Sequence, residues 1–274
     1  MTPLRITLLQ TDIVWEDKAA NLENLFHRLQ ALEGQTDLLV LPEMFSTGFS
    51  MNVAEQAETS DGPTIGRLRQ WATQFHIALA GSFMARTPGS EGPASSTAYY
   101  NRAFFVAPGQ EPFFQDKRHL FRMGGEADRF APGHNRAVCT YKGWKILLLV
   151  CYDLRFPVWS RNRHNEYDLL LYVANWPASR RLAWDTLLKA RAIENLCYTC
   201  GVNRVGHDGN DIAYNGGTAL ISPKGKCLAS VADDLPGHCS ATIDLDRLHA
   251  FRQKFPAWMD ADPFSLRATD DYRP

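Results

Sequence analysis

The chain has 274 residues, 45% of them hydrophobic and 22% charged, proportions ordinary for a globular protein. Its formal net charge of −1 excludes the broad basic field that draws nucleic acid or an anionic membrane surface. No stretch reaches the roughly 20 apolar residues that span a bilayer, the start has no signal-peptide profile, and six thinly spread cysteines argue for a reducing compartment. A single cytoplasmic domain over residues 1–274 is expected, with a tail from about residue 250 extending over the surface or a partner subunit.

The predicted elements alternate. Arg5–Ile13 reads as a strand and Glu16–Leu32 as a helix, with Leu22, Leu25, Phe26, Leu29 and Leu32 on one face and Gly34 as its stop. Asp37–Leu41 is a second strand halted by Pro42. A helix over Pro63–His76 leads into the strand Ile77–Phe83. Arg86–Ser96 is a polar loop, and Ala98–Ala107 and Pro112–Gln115 form an aromatic hairpin. Ile146–Val150 is a buried strand that delivers Cys151, and Pro157 suits the first turn of a helix reaching about His164. The strand Asp168–Val173 and the helix Arg180–Cys197 follow. Tyr198–Arg204, Gly217–Ser222, Cys227–Val231 and Ser240–Leu245 complete a strand-rich end. Helices alternating with mostly buried strands imply a layered α/β fold.

Three reactive groups stand just past strands: Glu43, Lys117 and Cys151. Ligands of open α/β sheets collect outside strand carboxyl ends, so the three can share one cleft. Each alone has a bland reading: a solvated carboxylate, a charged surface turn, an inert core thiol. A thiol on a strand-to-helix elbow would gain thiolate character from the helix N-terminus. Glu43 can serve it as base, and Lys117 with the backbone N–H of Tyr152 can stabilise an oxyanion. This set suits amide cleavage through a thioester, with no metal or organic cofactor required.

Other candidates compete. Cys197-Tyr-Thr-Cys200 has redox-motif spacing but falls where a helix passes into a strand, which favours two core thiols. His119 is an alternative base for Cys151. Arg155 suits an elbow-fixing salt bridge or, more sharply, a substrate carboxylate. Asn175-Trp176-Pro177 ends the next strand and is expected to line the pocket with Phe49, Tyr152 and Phe156.

Leu-Pro-Glu43-Met-Phe, Asp-Lys117-Arg-His-Leu-Phe and Val-Cys151-Tyr-Asp-Leu-Arg-Phe-Pro resemble, in order and spacing, the three catalytic motifs of the nitrilase (carbon–nitrogen hydrolase) superfamily. Glu43-Met-Phe-Ser-Thr-Gly-Phe49, Tyr214-Asn-Gly-Gly217 and Phe251-Arg-Gln-Lys-Phe-Pro-Ala-Trp258 are most similar to its omega-amidase branch. The resemblance implies a four-layer α-β-β-α sandwich that forms homodimers through its helical faces. It also implies a second glutamate, Glu126, six residues before Pro132-Gly133, holding the lysine and shaping the site. The implied substrate is a small omega-amide of a dicarboxylic acid, of the 2-oxoglutaramate or succinamate type. Hydrolysis of a carbamoyl amine or a nitrile is the rival within the superfamily. A silent binding protein and a thiol-redox protein are the rivals outside it.

Overall fold

The structure, a computed structural model, describes residues 3–87 and 97–265. Most of the expected loop at Arg86–Ser96 and the last residues, 266–274, lie outside the described residues. In chain order the strands and helices are β1 (Pro3–Gln10), α1 (Lys18–Leu32), β2 (Leu38–Val40), α2 (Val53–Gln56), α3 (Pro63–Phe75), β3 (Ala78–Thr87), β4 (Ala98–Val106) and β5 (Phe113–Asp116). There follow β6 (Cys139–Tyr141), β7 (Trp144–Val150), α4 (Pro157–Ser160), β8 (Leu169–Ala174), α5 (Arg181–Glu194) and β9 (Tyr198–Asn203). The chain continues with β10 (Val205–His207), β11 (Ala213–Asn215), β12 (Ala219–Ile221), β13 (Cys227–Ser230), β14 (Gly237–Asp244) and α6 (Leu245–Lys254).

Two six-stranded sheets carry the fold, ordered β14-β1-β2-β3-β4-β5 and β6-β7-β8-β9-β12-β13. Read in those directions, both run antiparallel, parallel, parallel, antiparallel, antiparallel. The two halves therefore repeat one pairing pattern. Each has three parallel strands at its centre, largely buried, as sheets covered on both faces are. In the first, β1, β2 and β3 share the pattern; in the second, β7, β8 and β9.

Period-two alternation divides the first sheet's side chains between two cores. Leu4, Ile6, Leu8, Leu38, Val40, Ala78, Ala80, Ala103 and Phe105 face the second sheet and merge with its strands Ile146–Val150 and Leu169–Ala174. Leu9, Leu39, Leu41, Leu79, Phe83 and Phe104 face outward, where Leu25, Leu29 and Leu32 of α1 and Ile65, Leu68, Trp71 and Phe75 of α3 cover them. Trp184, Leu188 and Ala192 of α5 cover the other sheet. The order is helix, sheet, sheet, helix: the expected four-layer α-β-β-α sandwich. Among the described residues, no helix is long and apolar enough to cross a membrane.

The structure corrects several sequence boundaries. Helix α1 begins at Lys18 because the Asp17 carboxylate accepts the Ala20 N–H as an N-cap, while Glu16 sits at φ 54° outside it. The helix expected to reach His164 is a single turn, because Arg161 leaves helical backbone at φ −58°, ψ 125°. Strand β6 was not anticipated. It pairs with β7 through the two-residue turn Lys142-Gly143, both at positive φ, as a tight hairpin requires. Residues 250–254, placed in the tail, are the end of α6. There Arg252 donates to Asp168 Oδ1 at 2.6 Å and to the carbonyls of Leu196 and Tyr167.

Gly201 in β9 is required by close approach. A Cβ there would lie 2.3 Å from Leu188 Cδ1 and 2.8 Å from Trp184 Cζ2, so α5 seats on the sheet only over a bare backbone. Gly201→Val is expected to lower stability by about 1–3 kcal/mol through overpacking. An unchanged urea midpoint would show that α5 shifts freely and that this contact does not set the layer spacing.

Candidate active site

Cys151 is held on a sharp turn. It follows β7 directly, takes φ 45°, and opens a 3₁₀ turn over Cys151–Arg155. Left-handed backbone costs a non-glycine residue about 1–3 kcal/mol unless its surroundings impose it. Asp153 imposes it here. Its Oδ2 accepts the Val150 N–H at 3.1 Å, and its Oδ1 accepts the His119 N–H at 3.0 Å and lies 2.8 Å from His119 Nδ1. Arg191 adds a 2.6 Å bond to the Leu154 carbonyl. The elbow is fixed from within and from two neighbouring segments.

Glu43 lies three residues past β2, fully buried, with both carboxylate oxygens occupied. Oε1 accepts from Lys117 Nζ at 2.9 Å and from Asn101 Nδ2 at 2.7 Å. Oε2 accepts the backbone N–H of Asn175 at 2.8 Å. Asn175 also donates its side-chain amide to the Glu43 carbonyl at 2.6 Å, so one residue fixes the glutamate at both ends. Asn175 follows β8 as Glu43 follows β2, and these strands hold matching places in the two halves.

Lys117 follows β5, and its side chain has no exposure. Its ammonium meets Glu43, then Glu126 at 3.0 Å and 2.9 Å to the two oxygens. Glu126 is fully buried too, and its Oε2 accepts the Phe121 N–H at 2.6 Å. Burial works against the ammonium, but the adjacent Glu126 and Glu43 carboxylates outweigh it and hold Lys117 well above its ordinary range, hence charged. Burial pushes Glu126 up, with Lys117 opposing.

The thiol behaves otherwise than the elbow alone suggested. Burial pushes Cys151 well above its usual range, the Glu43 charge and its hydrogen bond to the thiol push the same way, and Lys117 opposes them. The turn that Cys151 opens is five residues of 3₁₀ helix, too short for a substantial macrodipole. The resting group is therefore a thiol, with the Glu43 carboxylate hydrogen-bonded to it.

Cys151 and Lys117 of this group line a cavity of about 480 Å³. Phe49, Lys117, Phe121, Met123, Cys151, Tyr152, Arg155, Asn175, Trp176, Arg180 and Tyr214 are among its walls. Arg155 lies over the Trp176 ring at 5.1 Å and Arg180 over the Phe121 ring at 4.9 Å. Among the described residues, neither guanidinium is paired with a carboxylate, although both are only partly exposed. No group of three or more His, Cys, Asp or Glu that could hold a metal ion occurs among those residues.

The comparisons with known proteins agree with this geometry. The family model described as "Carbon-nitrogen hydrolase" matches residues 5–253. The chain is 45% identical over 266 residues to the omega-amidase YafV of Escherichia coli K12, covering 97% of this chain and all of the relative. It is 28% identical to the 2-oxoglutaramate amidase of Bacillus subtilis, covering 93% and 96% of the two. A CN-hydrolase superfamily protein of Xanthomonas campestris, solved with an arsenic adduct in its active site, superimposes with a TM-score of 0.91 at 42% identity. That match covers 97% of this chain and 100% of that one. The chain belongs to the carbon–nitrogen hydrolase family.

In this carbon–nitrogen hydrolase the structure brings together Glu43, Lys117, Cys151 and Glu126. Phe49, Tyr152, Arg155, Asn175 and Trp176 reach the cavity as expected. Phe156 does not line it. Its ring stacks on His119 at 3.8 Å and meets Tyr152 edge-on at 5.2 Å, so it backs the wall from behind. His119, tied to Asp153, is committed to the elbow and not to the thiol. Arg155 makes no elbow salt bridge; Asp153 does that work. Cys197, in the bend before β9, and Cys200, within it, are fully buried in the same apolar core. Burial raises both, Cys197 to about 12, as suits core thiols.

Sequence reading missed Asn101, Ser82 and Arg180. Asn101 carried a signal, since asparagine is depleted in strands and this one interrupts the aromatic run Tyr99–Phe105.

Removing the ammonium tests the charge balance. Lys117→Met is expected to cost about 3–5 kcal/mol at neutral pH by stranding two buried carboxylates. Without Lys117, burial and mutual repulsion favour protonation of the two carboxylates in the folded state, so that state binds extra protons. Stability must then fall as pH rises from about 5 to about 8. A urea midpoint deficit that stays constant over that range would refute the charge argument.

Proposed function

We propose that this carbon–nitrogen hydrolase cleaves the terminal carboxamide of a short dicarboxylic acid omega-amide, of the 2-oxoglutaramate or succinamate type, giving the acid and ammonia. One observation carries the reading. A buried thiol and an ammonium line a small cavity with two guanidinium groups that, among the described residues, form no ion pair with a carboxylate. A substrate with a neutral amide at one end and a carboxylate at the other satisfies both ends. The names of the Escherichia coli and Bacillus subtilis relatives point to the same substrate class.

The steps follow from the contacts. Cys151 Sγ attacks the carboxamide carbon while its proton passes to Glu43 and the carbonyl electrons move onto oxygen. Lys117 carries three protons. Glu126 can share one between its two oxygens and Glu43 Oε1 takes another, leaving one for the oxyanion beside the Tyr152 N–H. The adduct collapses, Glu43 returns its proton to nitrogen, and ammonia leaves a thioester. Glu43 then takes a proton from water, hydroxide attacks the thioester, and the second adduct expels the thiolate, which recovers the proton. A homodimer through the helical faces, in keeping with the sequence reading, would cover Leu182 and Ile193. They lie eleven residues apart on one face of α5 and are 81% and 51% exposed.

An ammonia-release screen over short omega-amides, carbamoyl amines and nitriles tests the reading. Omega-amides should be the best substrates, and Cys151→Ala should abolish turnover; full activity in that variant excludes the thioester. Arg155→Met and Arg180→Met should each raise KM about ten-fold or more for omega-amides, the scale of one charge-assisted hydrogen bond. They should leave an uncharged amide such as butyramide unaffected. Equal losses on both substrates would remove the arginines from carboxylate recognition.

A further inference from the structure

We propose that Asn101 is a positioning residue that reserves Glu43 Oε1 as a permanently occupied acceptor, so that all proton transfer of the reaction passes through Oε2. The inference rests on Cys151 and Glu43 acting as nucleophile and base.

Asn101 sits in β4, opposite Met84 of β3, on the inner-facing row that includes Ala103 and Phe105. It is fully buried. Its amide donates to two different carboxylates, Glu43 Oε1 at 2.7 Å and Glu126 Oε1 at 2.9 Å. Its backbone carbonyl accepts the Lys117 N–H at 2.9 Å. One residue thus touches all three members of the charged cluster.

The direction of this amide is set by the two carboxylates, which accept only, so Asn101 presents its NH₂ group to them. Its Oδ1 then accepts the Ser82 hydroxyl at 2.9 Å, and Ser82 Oγ accepts the Met44 N–H at 2.9 Å, which supports that direction from behind. Met44 is the neighbour of Glu43, so the chain begins and ends at the base it orients.

Lone pairs decide the consequence. Oε1 of Glu43 receives Lys117 and Asn101, which fill both of its acceptor positions. Oε2 receives the Asn175 N–H and has one further position, which the hydrogen bond from the Cys151 thiol can take. The thiol proton, the proton returned to the leaving nitrogen and the proton taken from water can use that position alone. Without the Asn101 donor, either oxygen can be protonated, and the acid form of the cluster is favoured. The titratable groups facing Glu43 are Lys117, Glu126, Cys151 and, from β11, Tyr214. None of them replaces a donor to Oε1.

The test compares Ser82→Ala, Asn101→Ala and the double variant in the full chain. Two profiles are measured against pH: kcat for ammonia release from succinamate, and the rate of Cys151 alkylation by iodoacetamide. In Asn101→Ala the acid limb of both should move up by about one pH unit or more, with kcat down roughly ten-fold or more and KM nearly unchanged. Ser82→Ala should shift the limbs in the same direction by less, Ser82→Thr should restore them, and the double variant should be no worse than Asn101→Ala. Limbs that stay in place, whatever happens to the rates, overturn the proposal, as does strict additivity of the two single variants. Should Asn101→Ala fail to fold, the alkylation limb of Ser82→Ala decides alone. Failure of succinamate turnover with a normal alkylation limb would count against the proposed substrate and leave this inference to its own readout.

Discussion

Lys117 holds a full charge at a point with no exposure, and the site is organised around that fact. A buried ammonium is tolerated only when its partners are fixed and its protons are accounted for. Glu43 and Glu126 supply the partners, from segments that follow β2 and β5. Asn101 and the Phe121 N–H then satisfy carboxylate positions that Lys117 leaves over. Two acids around one base leave an excess negative charge in a dry place. Burial first, and that charge second, keep Cys151 protonated at rest. The arrangement disfavours a free thiolate, which is prone to alkylation and oxidation, and favours one formed only in the act of attack.

The strain at Cys151 belongs to the same design. A left-handed cysteine between a buried strand and a 3₁₀ turn stands at the cavity wall. Asp153 maintains this by serving the backbone before the cysteine and the segment after Lys117 together. The nucleophile and the oxyanion donor are thereby tied through one carboxylate, so a shift in either loop is felt by both. His119, by sequence only the alternative base, and Phe156, read as a pocket residue, stand one step behind the cavity wall.

What was legible in the sequence follows a physical line. Glu43, Lys117 and Cys151 each follow an apolar strand, and a strand end is a position that pattern alone identifies. The layers were legible for the same reason: buried parallel strands and amphipathic helices announce themselves by period. Asn101 and Ser82 were not, because they lie inside strands and contribute by direction of hydrogen bonding, which no spacing encodes. Arg180 follows a strand by a longer interval and reads as an ordinary surface charge next to Arg181. The hairpin at Lys142-Gly143 escaped because lysine is a rare occupant of a position with φ 47°. The thiolate expectation failed on burial, a property of the assembled cavity and not of the local elbow.

The repeated pairing pattern of the two sheets explains why base and nucleophile come from different halves. Packed sheets stand about 10 Å apart, farther than a proton can be handed between side chains rooted on facing strands. The reacting groups must therefore rise from loops past the strand ends and lean across the seam. Glu43 does so from the first half and Cys151 from the second. Asn175, which holds in the second half the place Glu43 holds in the first, closes the gap by binding Glu43 at its backbone and its carboxylate. The seam is thus spanned by hydrogen bonds before any substrate arrives. The distance from thiol to base is then set by the sheet spacing and by Asn175 together, which makes the catalytic geometry a property of the whole sandwich.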